Sequence, residues 1–135
     1  MKLFCITFVV VFFSCNRQSK KAENDLCFAN NFSQRVEKVS LKDAGKIKGL
    51  NGKFIEIEGY FSHEFENVAL YPYKWSEPTK ALWLNFTDSI VKNQNELDVM
   101  NYKEVIVIGR VNTSHKGHYS GYMAELDSVF CIKEK

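Results

Sequence analysis

Two segments of this chain share one alternating pattern, and that pattern restricts the fold more than any other feature. Residues 51–61 read NGKFIEIEGYF, and residues 101–111 read NYKEVIVIGRV. In each segment an apolar side chain recurs at every second position, which is typical of a strand with one face in a core. Gly59 and Gly109 fall inside these patterns. Glycine within a strand indicates a bulge or a sharp bend. We therefore predict two strands that each coil through a glycine.

Three further segments have the composition of strands. They read NVALYPY at 67–73, ALWLNF at 81–86 and GYMAELDSVFCI at 121–132, and the alternation of the last one breaks near 126–128. Helical signals are fewer. Ser40 is a candidate N-cap for a helix over 40–50, with Asp43 three residues later. Residues 88–100 can hold one more short helix.

This order of elements predicts an all-β domain. Five strands, bent at glycine in the first and fourth and with a longer connection between the third and fourth, favour a five-stranded OB-fold-like barrel. We expect a short N-terminal helix and at most one further short helix. The same strands also allow a small open β-sandwich, although closure into a barrel removes the sheet edges that invite aggregation.

The N-terminus has the layout of a secretory signal peptide. Lys2 precedes an apolar run over residues 3–13, which is shorter than the roughly 20 residues that span a bilayer. The run ends in FFSC, which resembles the lipobox of bacterial lipoproteins, with Phe12 and Phe13 in place of the usual leucine and small residue. The resemblance implies that residues 1–14 are a signal peptide and that Cys15 carries the lipid. The alternative is an ordinary helix or strand with a core cysteine.

Lipidation at Cys15 would make this a lipid-anchored protein of the bacterial cell envelope, facing the periplasm or the surface. Two or three acyl chains give stable anchoring. By resemblance to enterobacterial sorting, Asn16 in place of aspartate favours the outer membrane. Residues 15–39 contain a polar stretch without apolar periodicity and are predicted to be a lipidated tether and lead-in. The OB-fold-like domain is then expected over residues 40–135.

The distribution of charge argues against a nucleic-acid partner. The whole chain has a net charge of +2, but residues 51–135 contain nine Lys/Arg and twelve Asp/Glu. Nucleic-acid binding draws most of its affinity from phosphate neutralisation on a basic face. The predicted barrel is mildly acidic instead, so nucleic acid is an unfavourable ligand.

Removal of residues 1–14 and lipidation of Cys15 would leave two cysteines, Cys27 and Cys131. In an oxidising compartment the two are a candidate disulfide. The alternative is a pair of separate buried thiols, which the apolar context VFCI around Cys131 also allows. The chain has no CxxC motif and no His/Cys spacing of a zinc finger.

Several short words of the body resemble a group of small, functionally uncharacterised bacterial domains with OB-like folds. The words are GKFIEIEGYF, EFENVALY, ALWL, EVIVIGRV and GHYSG, and together they cover roughly residues 40–132. The resemblance implies the barrel fold and says nothing about chemistry.

Two loops contain the histidines and are expected to flank one binding face of an OB barrel. The first loop brings His63, Glu64 and Glu66, and the second brings His115, His118 and Tyr119. Imidazoles and carboxylates close together can bind a divalent metal or respond to pH near neutrality. Such loops are also often merely polar. We therefore predict no metal or cofactor, and we keep a metal- or pH-responsive envelope protein as an alternative.

Aromatic residues form the second candidate site. Tyr71, Tyr73 and Trp75 lie on or beside the second and third predicted strands, where exposed rings can stack on sugars or bases. We expect Tyr73 and Trp75 to be exposed and Trp83, within ALWL, to lie in the core. With an acidic domain outside the cytoplasm, a carbohydrate or another envelope protein is the favoured partner.

Catalysis is not expected, because the chain contains no GxSxG, Walker or HExxH motif. The sequence favours a non-catalytic binding or assembly module on a membrane anchor. The alternative from a different class is a cytosolic OB-fold nucleic-acid-binding protein whose N-terminus is not processed.

Overall fold

The structure is a computed structural model that describes residues 24–28 and 32–135. The described residues are mostly β and form one sheet of seven strands, with three short helices. The strands are β1 (Asp25–Cys27), β2 (Val36–Ser40), β3 (Phe54–Glu64), β4 (Asn67–Tyr71), β5 (Leu82–Phe86), β6 (Glu104–Asn112) and β7 (Ala124–Glu134). The helices are α1 (Ala44–Gly49), α2 (Asp88–Val91) and α3 (Gln94–Met100), and short 3-10 turns lie at Pro78–Lys80 and His118–Ser120.

Five of the strands close into a barrel. β3 pairs antiparallel with β4 on one side and with β6 on the other, and β4 pairs antiparallel with β5. β7 completes the ring, because it pairs antiparallel with β6 and parallel with β5. The predicted five-stranded barrel is confirmed at this level, rather than the open sandwich that the same segments allowed.

Alternating side chains fill the interior of the barrel. Ile55, Ile57 and Phe61 of β3 are buried, as are Val105 and Val107 of β6. Burying a side chain of this size contributes about 1.5–3 kcal/mol. The helices between β5 and β6 add three buried side chains to the same core: Ile90, Leu97 and Met100.

The two strand glycines lie where neighbouring chains approach too closely for a side chain. A Cβ placed on Gly59 would lie 2.6 Å from the carbonyl oxygen of Tyr71, and one on Gly109 would lie 2.8 Å from Cγ2 of Val129. The pairing of β6 with β7 shifts register at Gly109, and Ser128 on β7 has a φ of 51°. The predicted irregularity is confirmed at Gly109 and near residue 128, whereas β3 pairs with β6 in unbroken register through Gly59.

Two strands lie ahead of the barrel, within the segment predicted to be a tether and lead-in. β2 pairs parallel with the first half of β3, and β1 pairs antiparallel with the end of β7. They extend two edges of the sheet, so in its described part the folded unit begins before residue 40. Each strand buries one apolar side chain, Leu26 or Val39. Strands of three and five residues are too short to show a period in the sequence.

A disulfide joins Cys27 to Cys131, across the register pair that links β1 to β7. This resolves the two readings of these cysteines in favour of the bond. The bond closes a loop with a sequence separation of 104 residues. In the chain-entropy account, a loop of that length gives about 4–5 kcal/mol of stabilisation.

The helices differ from the prediction in two respects. α1 is capped by Asp43, whose Oδ1 accepts from the backbone N–H of Lys46 at 3.0 Å, and not by Ser40, which ends β2. The region 88–100 contains two helices, so the expectation of at most one further helix is wrong. Asn93 separates them, with its side-chain amide donating to the carbonyl of Ser89. None of the described helices is long and apolar enough to cross a membrane.

Candidate binding groove

The outer side of β3 and β4 forms the floor of a groove. Because Phe61 faces the core, the alternation of the strand turns Tyr60, Ser62 and Glu64 outward. Each of the three lies opposite a residue of β4. The cross-strand pairs are Tyr60 with Tyr71, Ser62 with Ala69, and Glu64 with Asn67. Five of these six side chains line a groove of about 580 Å³, and Ala69 is buried beneath it.

Aromatic side chains on two turns raise the walls of the groove. After β4, the backbone N–H of Tyr73 donates to Oγ of Ser76 at 3.1 Å, and this turn presents Tyr73 and Trp75. Trp75 is 92% exposed and has a φ of 75°, a conformation that is rare for a bulky residue. On the β6 side of β3, the N–H of Tyr102 donates to the carbonyl of Phe61 at 2.8 Å. That bond holds Tyr102 at the opposite edge.

Glu64 offers acceptor oxygens at one end of the floor. The hydroxyl of Tyr102 donates to its carboxylate. This hydrogen bond raises the pKa of Tyr102, so the phenol stays protonated and remains a donor. A carboxylate has about four lone-pair sites. Glu64 therefore keeps acceptor capacity for a ligand after binding Tyr102.

Asn67 offers donors at the same end. Its Oδ1 accepts from the hydroxyl of Tyr71 at 2.7 Å and from that of Tyr122 at 3.1 Å. Burial, together with the neighbouring Tyr71, raises the pKa of Tyr122 to about 12, so Tyr122 is a donor near neutral pH. Two phenol donors orient the amide with its oxygen towards them. Within the described residues, the Asn67 amide nitrogen donates no hydrogen bond.

Ser62 lies two residues before Glu64 on β3, and its hydroxyl is unused. The residue is 5% exposed, and its Oγ has no hydrogen-bond partner among the described residues. A buried hydroxyl without a partner costs about 1–3 kcal/mol. The oxygen itself has almost no solvent-accessible surface, so it lies below the open surface of the groove.

The structure brings together four of the predicted site residues. Glu64, Tyr71, Tyr73 and Trp75 all line the groove. Tyr73 and Trp75 are exposed, as expected from the sequence, and Nζ of Lys42 lies 4.6 Å from the centre of the Tyr73 ring. Trp83 is not a core residue, because Leu82 and Leu84 take the inward positions of β5 and turn it outward.

The three histidines are separate from one another, each beside a different carboxylate. His63 Nδ1 lies 2.7 Å from Asp98 Oδ1 on α3, and His115 Nδ1 lies 2.6 Å from Glu125 Oε2 on β7. The third pair joins the two predicted loops. In it, Nε2 of His118 lies 3.3 Å from Oε2 of Glu66, without hydrogen-bond alignment.

The loop between β6 and β7 folds back over Trp83. Gly117 lies so close to this ring that a Cβ would approach it to 2.6 Å, and the imidazole of His118 stacks on it at 6.4 Å between centroids. Tyr119 contacts His118 and is 89% exposed. The part of the outer face over β5 is therefore covered by the chain itself, and the open groove lies over β3 and β4.

Among residues 24–28 and 32–135, we looked for side chains that could jointly hold a metal ion. There, one group of three His, Cys, Asp or Glu side chains has its ligand atoms within mutual reach: Asp25, Cys27 and Cys131. The two sulfurs are bonded to each other and offer no thiolate.

The predicted lipidation residue, Cys15, lies outside the described residues.

The sequence reading missed several residues of the groove: Tyr60, Ser62, Asn67, Lys74, Ser76 and Tyr102. The outward orientation of the β3 residues could have been predicted from the sequence. Once Phe61 is assigned to the core, period-2 alternation turns residues 60, 62 and 64 to the outside. Tyr102 gave no such signal, because it reaches the groove through a turn with a φ of 61°.

Comparison with protein-family models, with curated proteins and with solved structures finds no match to this chain. The resemblances to the lipobox and to small OB-like domains thus stay predictions.

Proposed function

We propose that this protein is a lipid-anchored envelope protein whose OB-fold-like domain is a non-catalytic binding module. The observation that carries the proposal is the groove over β3 and β4, with aromatic walls and a polar floor. Ligand sites are typically concave and largely apolar, with a few convergent polar groups. The five-stranded closed barrel, with a closely packed glycine in its first and fourth strands, supports an OB-fold-like assignment.

The disulfide supports an extracytoplasmic location. Bonds between cysteines persist in oxidising compartments and are rare in the cytosol. The cross-strand pair Cys27–Cys131 fits a protein exported by the signal peptide proposed for residues 1–14.

The anchor is tested by mass spectrometry of the membrane fraction from the native host. We expect a mature chain that begins at a diacylated Cys15, and a soluble chain from the Cys15→Ser variant. A soluble wild-type chain that still begins at Met1 would overturn the proposal of a lipid anchor at Cys15.

The groove is tested by NMR of the ¹⁵N-labelled protein against glycan, protein and lipid fractions of the host envelope. We expect one fraction to shift the backbone amides of the groove floor, and we expect Trp75→Ala to abolish those shifts. Phe65→Ala is the matched control, because Phe65 is 94% exposed and lies outside the groove lining. Shifts confined to the His118 loop, or unaffected by Trp75→Ala, would overturn the proposal.

A further inference from the structure

We infer that the groove over β3 and β4 binds a neutral saccharide. This inference rests on the proposed binding function and names its ligand class. It draws on four observations: the charge of the groove, its free hydrogen-bonding groups, its ring surfaces and its size.

The lining of the groove has no net formal charge. It contains one carboxylate, Glu64, and one ammonium group, Lys74, among eleven lining residues. Polyanionic ligands depend on several Lys or Arg side chains for phosphate or sulfate neutralisation. The groove offers one, together with one carboxylate that repels anions. A nucleic acid or an acidic glycan is therefore poorly matched, and a neutral ligand is well matched.

The free polar groups of the floor include both acceptors and donors. Glu64 keeps acceptor oxygens, and the Asn67 amide nitrogen makes no hydrogen bond within the described residues. A sugar hydroxyl likewise donates one hydrogen bond and accepts others. Neighbouring hydroxyls of one ring can therefore satisfy both groups. An apolar peptide side chain would leave both without a partner.

The aromatic rings in the walls of the groove supply flat apolar surfaces for stacking. Tyr73, Trp75 and Tyr102 are 54%, 92% and 57% exposed. Aromatic faces carry partial negative charge, and the C–H groups on one face of a pyranose ring carry partial positive charge. Stacking on these rings would bury surface that water now covers. The volume of about 580 Å³ falls within the range of small-ligand sites.

The experiment uses the full chain in a polyoxyethylene detergent, which has no sugar headgroup to compete. Cello-, malto-, manno- and chitotetraose are titrated by calorimetry, with tryptophan emission as a second readout. The anionic comparator is tetragalacturonic acid. We expect at least one neutral tetrasaccharide to bind better than the anionic one. We expect Trp75→Ala to weaken that binding about tenfold or more and Phe65→Ala to leave it unchanged.

Two further probes separate the failure of this inference from the failure of the proposed function. They are a polyproline peptide and an oligothymidylate. If either binds in a Trp75-dependent way and no neutral tetrasaccharide does, the saccharide assignment is overturned while the groove remains a binding site. If no probe binds, or if Trp75→Ala binds like the wild type, both the ligand class and the groove are overturned.

Discussion

The carboxylate of Glu125 is almost completely buried on β7, and its Oε2 lies 2.6 Å from Nδ1 of the largely exposed His115. A second contact comes from the amide nitrogen of Asn85, 3.3 Å from Oε1. The histidine therefore ties the β6–β7 loop to the barrel wall. A buried carboxylate is costly unless it is hydrogen-bonded, so this link stabilises the fold.

Replacing His115 by alanine is expected to lower the free energy of unfolding by about 1–2 kcal/mol. The variant leaves Glu125 with Asn85 as its remaining side-chain partner. The exposure of His115 lets water replace part of the interaction, which keeps the loss modest. Urea unfolding of the single variants and of the double variant with Glu125→Gln measures the coupling. Equal cost of His115→Ala in both backgrounds would contradict the link.

Replacing Gly59 by alanine is expected to destabilise the barrel by about 1–3 kcal/mol. The new Cβ would meet the backbone oxygen of Tyr71 at 2.6 Å and Cγ of Leu70 at 2.9 Å, so strand β3 or β4 must shift. The matched control is Gly49→Ala at the end of α1, where nothing lies within 4 Å. Thermal unfolding measures both. Similar melting temperatures for the two variants would show that the close approach at Gly59 is not required.

Removal of the Cys27–Cys131 bond is expected to lower the free energy of unfolding by about 4–5 kcal/mol. The physical reason is the loop of 104 positions, which becomes unconstrained in the unfolded chain. Chemical denaturation with and without dithiothreitol measures the effect. The double variant Cys27→Ala/Cys131→Ala is the control, because reductant should leave it unchanged. A wild-type midpoint that does not respond to reduction would refute the expectation.

Tyr122 is expected to control part of the stability at alkaline pH. Burial raises its pKa from 10.0 to about 12, so its stabilising contribution is fully present below pH 10 and is lost as pH rises through 12. Tyr122→Phe removes this dependence, along with the hydrogen bond to Asn67. Urea midpoints across this pH window should therefore fall less steeply in the variant. The exposed Tyr119→Phe is the control, and a parallel fall in wild type and Tyr122→Phe would count against the assignment.

The barrel was predictable because the sequences of its strands alternate between apolar and other residues at every second position. Alternation at 55, 57 and 61 and at 105 and 107 marks inward positions directly, and each glycine marks a close approach. β1 and β2 were not predictable, since each buries one side chain and takes its place from the neighbouring strand. The cap at Asp43 was misassigned to Ser40, because both residues have N-cap side chains and tertiary pairing drew Ser40 into β2.

The candidate site was predictable mainly where its residues lie close together in the sequence. The aromatic residues at 71, 73 and 75 follow one another along the chain and were identified from the sequence. The expected cluster of histidines was only partly found, because pairing across the fold sends His63 to Asp98 and His115 to Glu125. Tyr102 reaches the groove through a non-local bond to Phe61. Contacts between residues far apart in the sequence leave no pattern in the local sequence.

The disulfide between the first and last strands also determines how the molecule responds to mechanical tension. A pull on the two ends of the chain reaches Cys27 and Cys131 and then crosses from sulfur to sulfur. The intervening chain, roughly 350 Å when fully extended, is shielded from the load. A load applied between the two ends of the chain would thus bypass the groove, because all of its lining residues lie between the two cysteines.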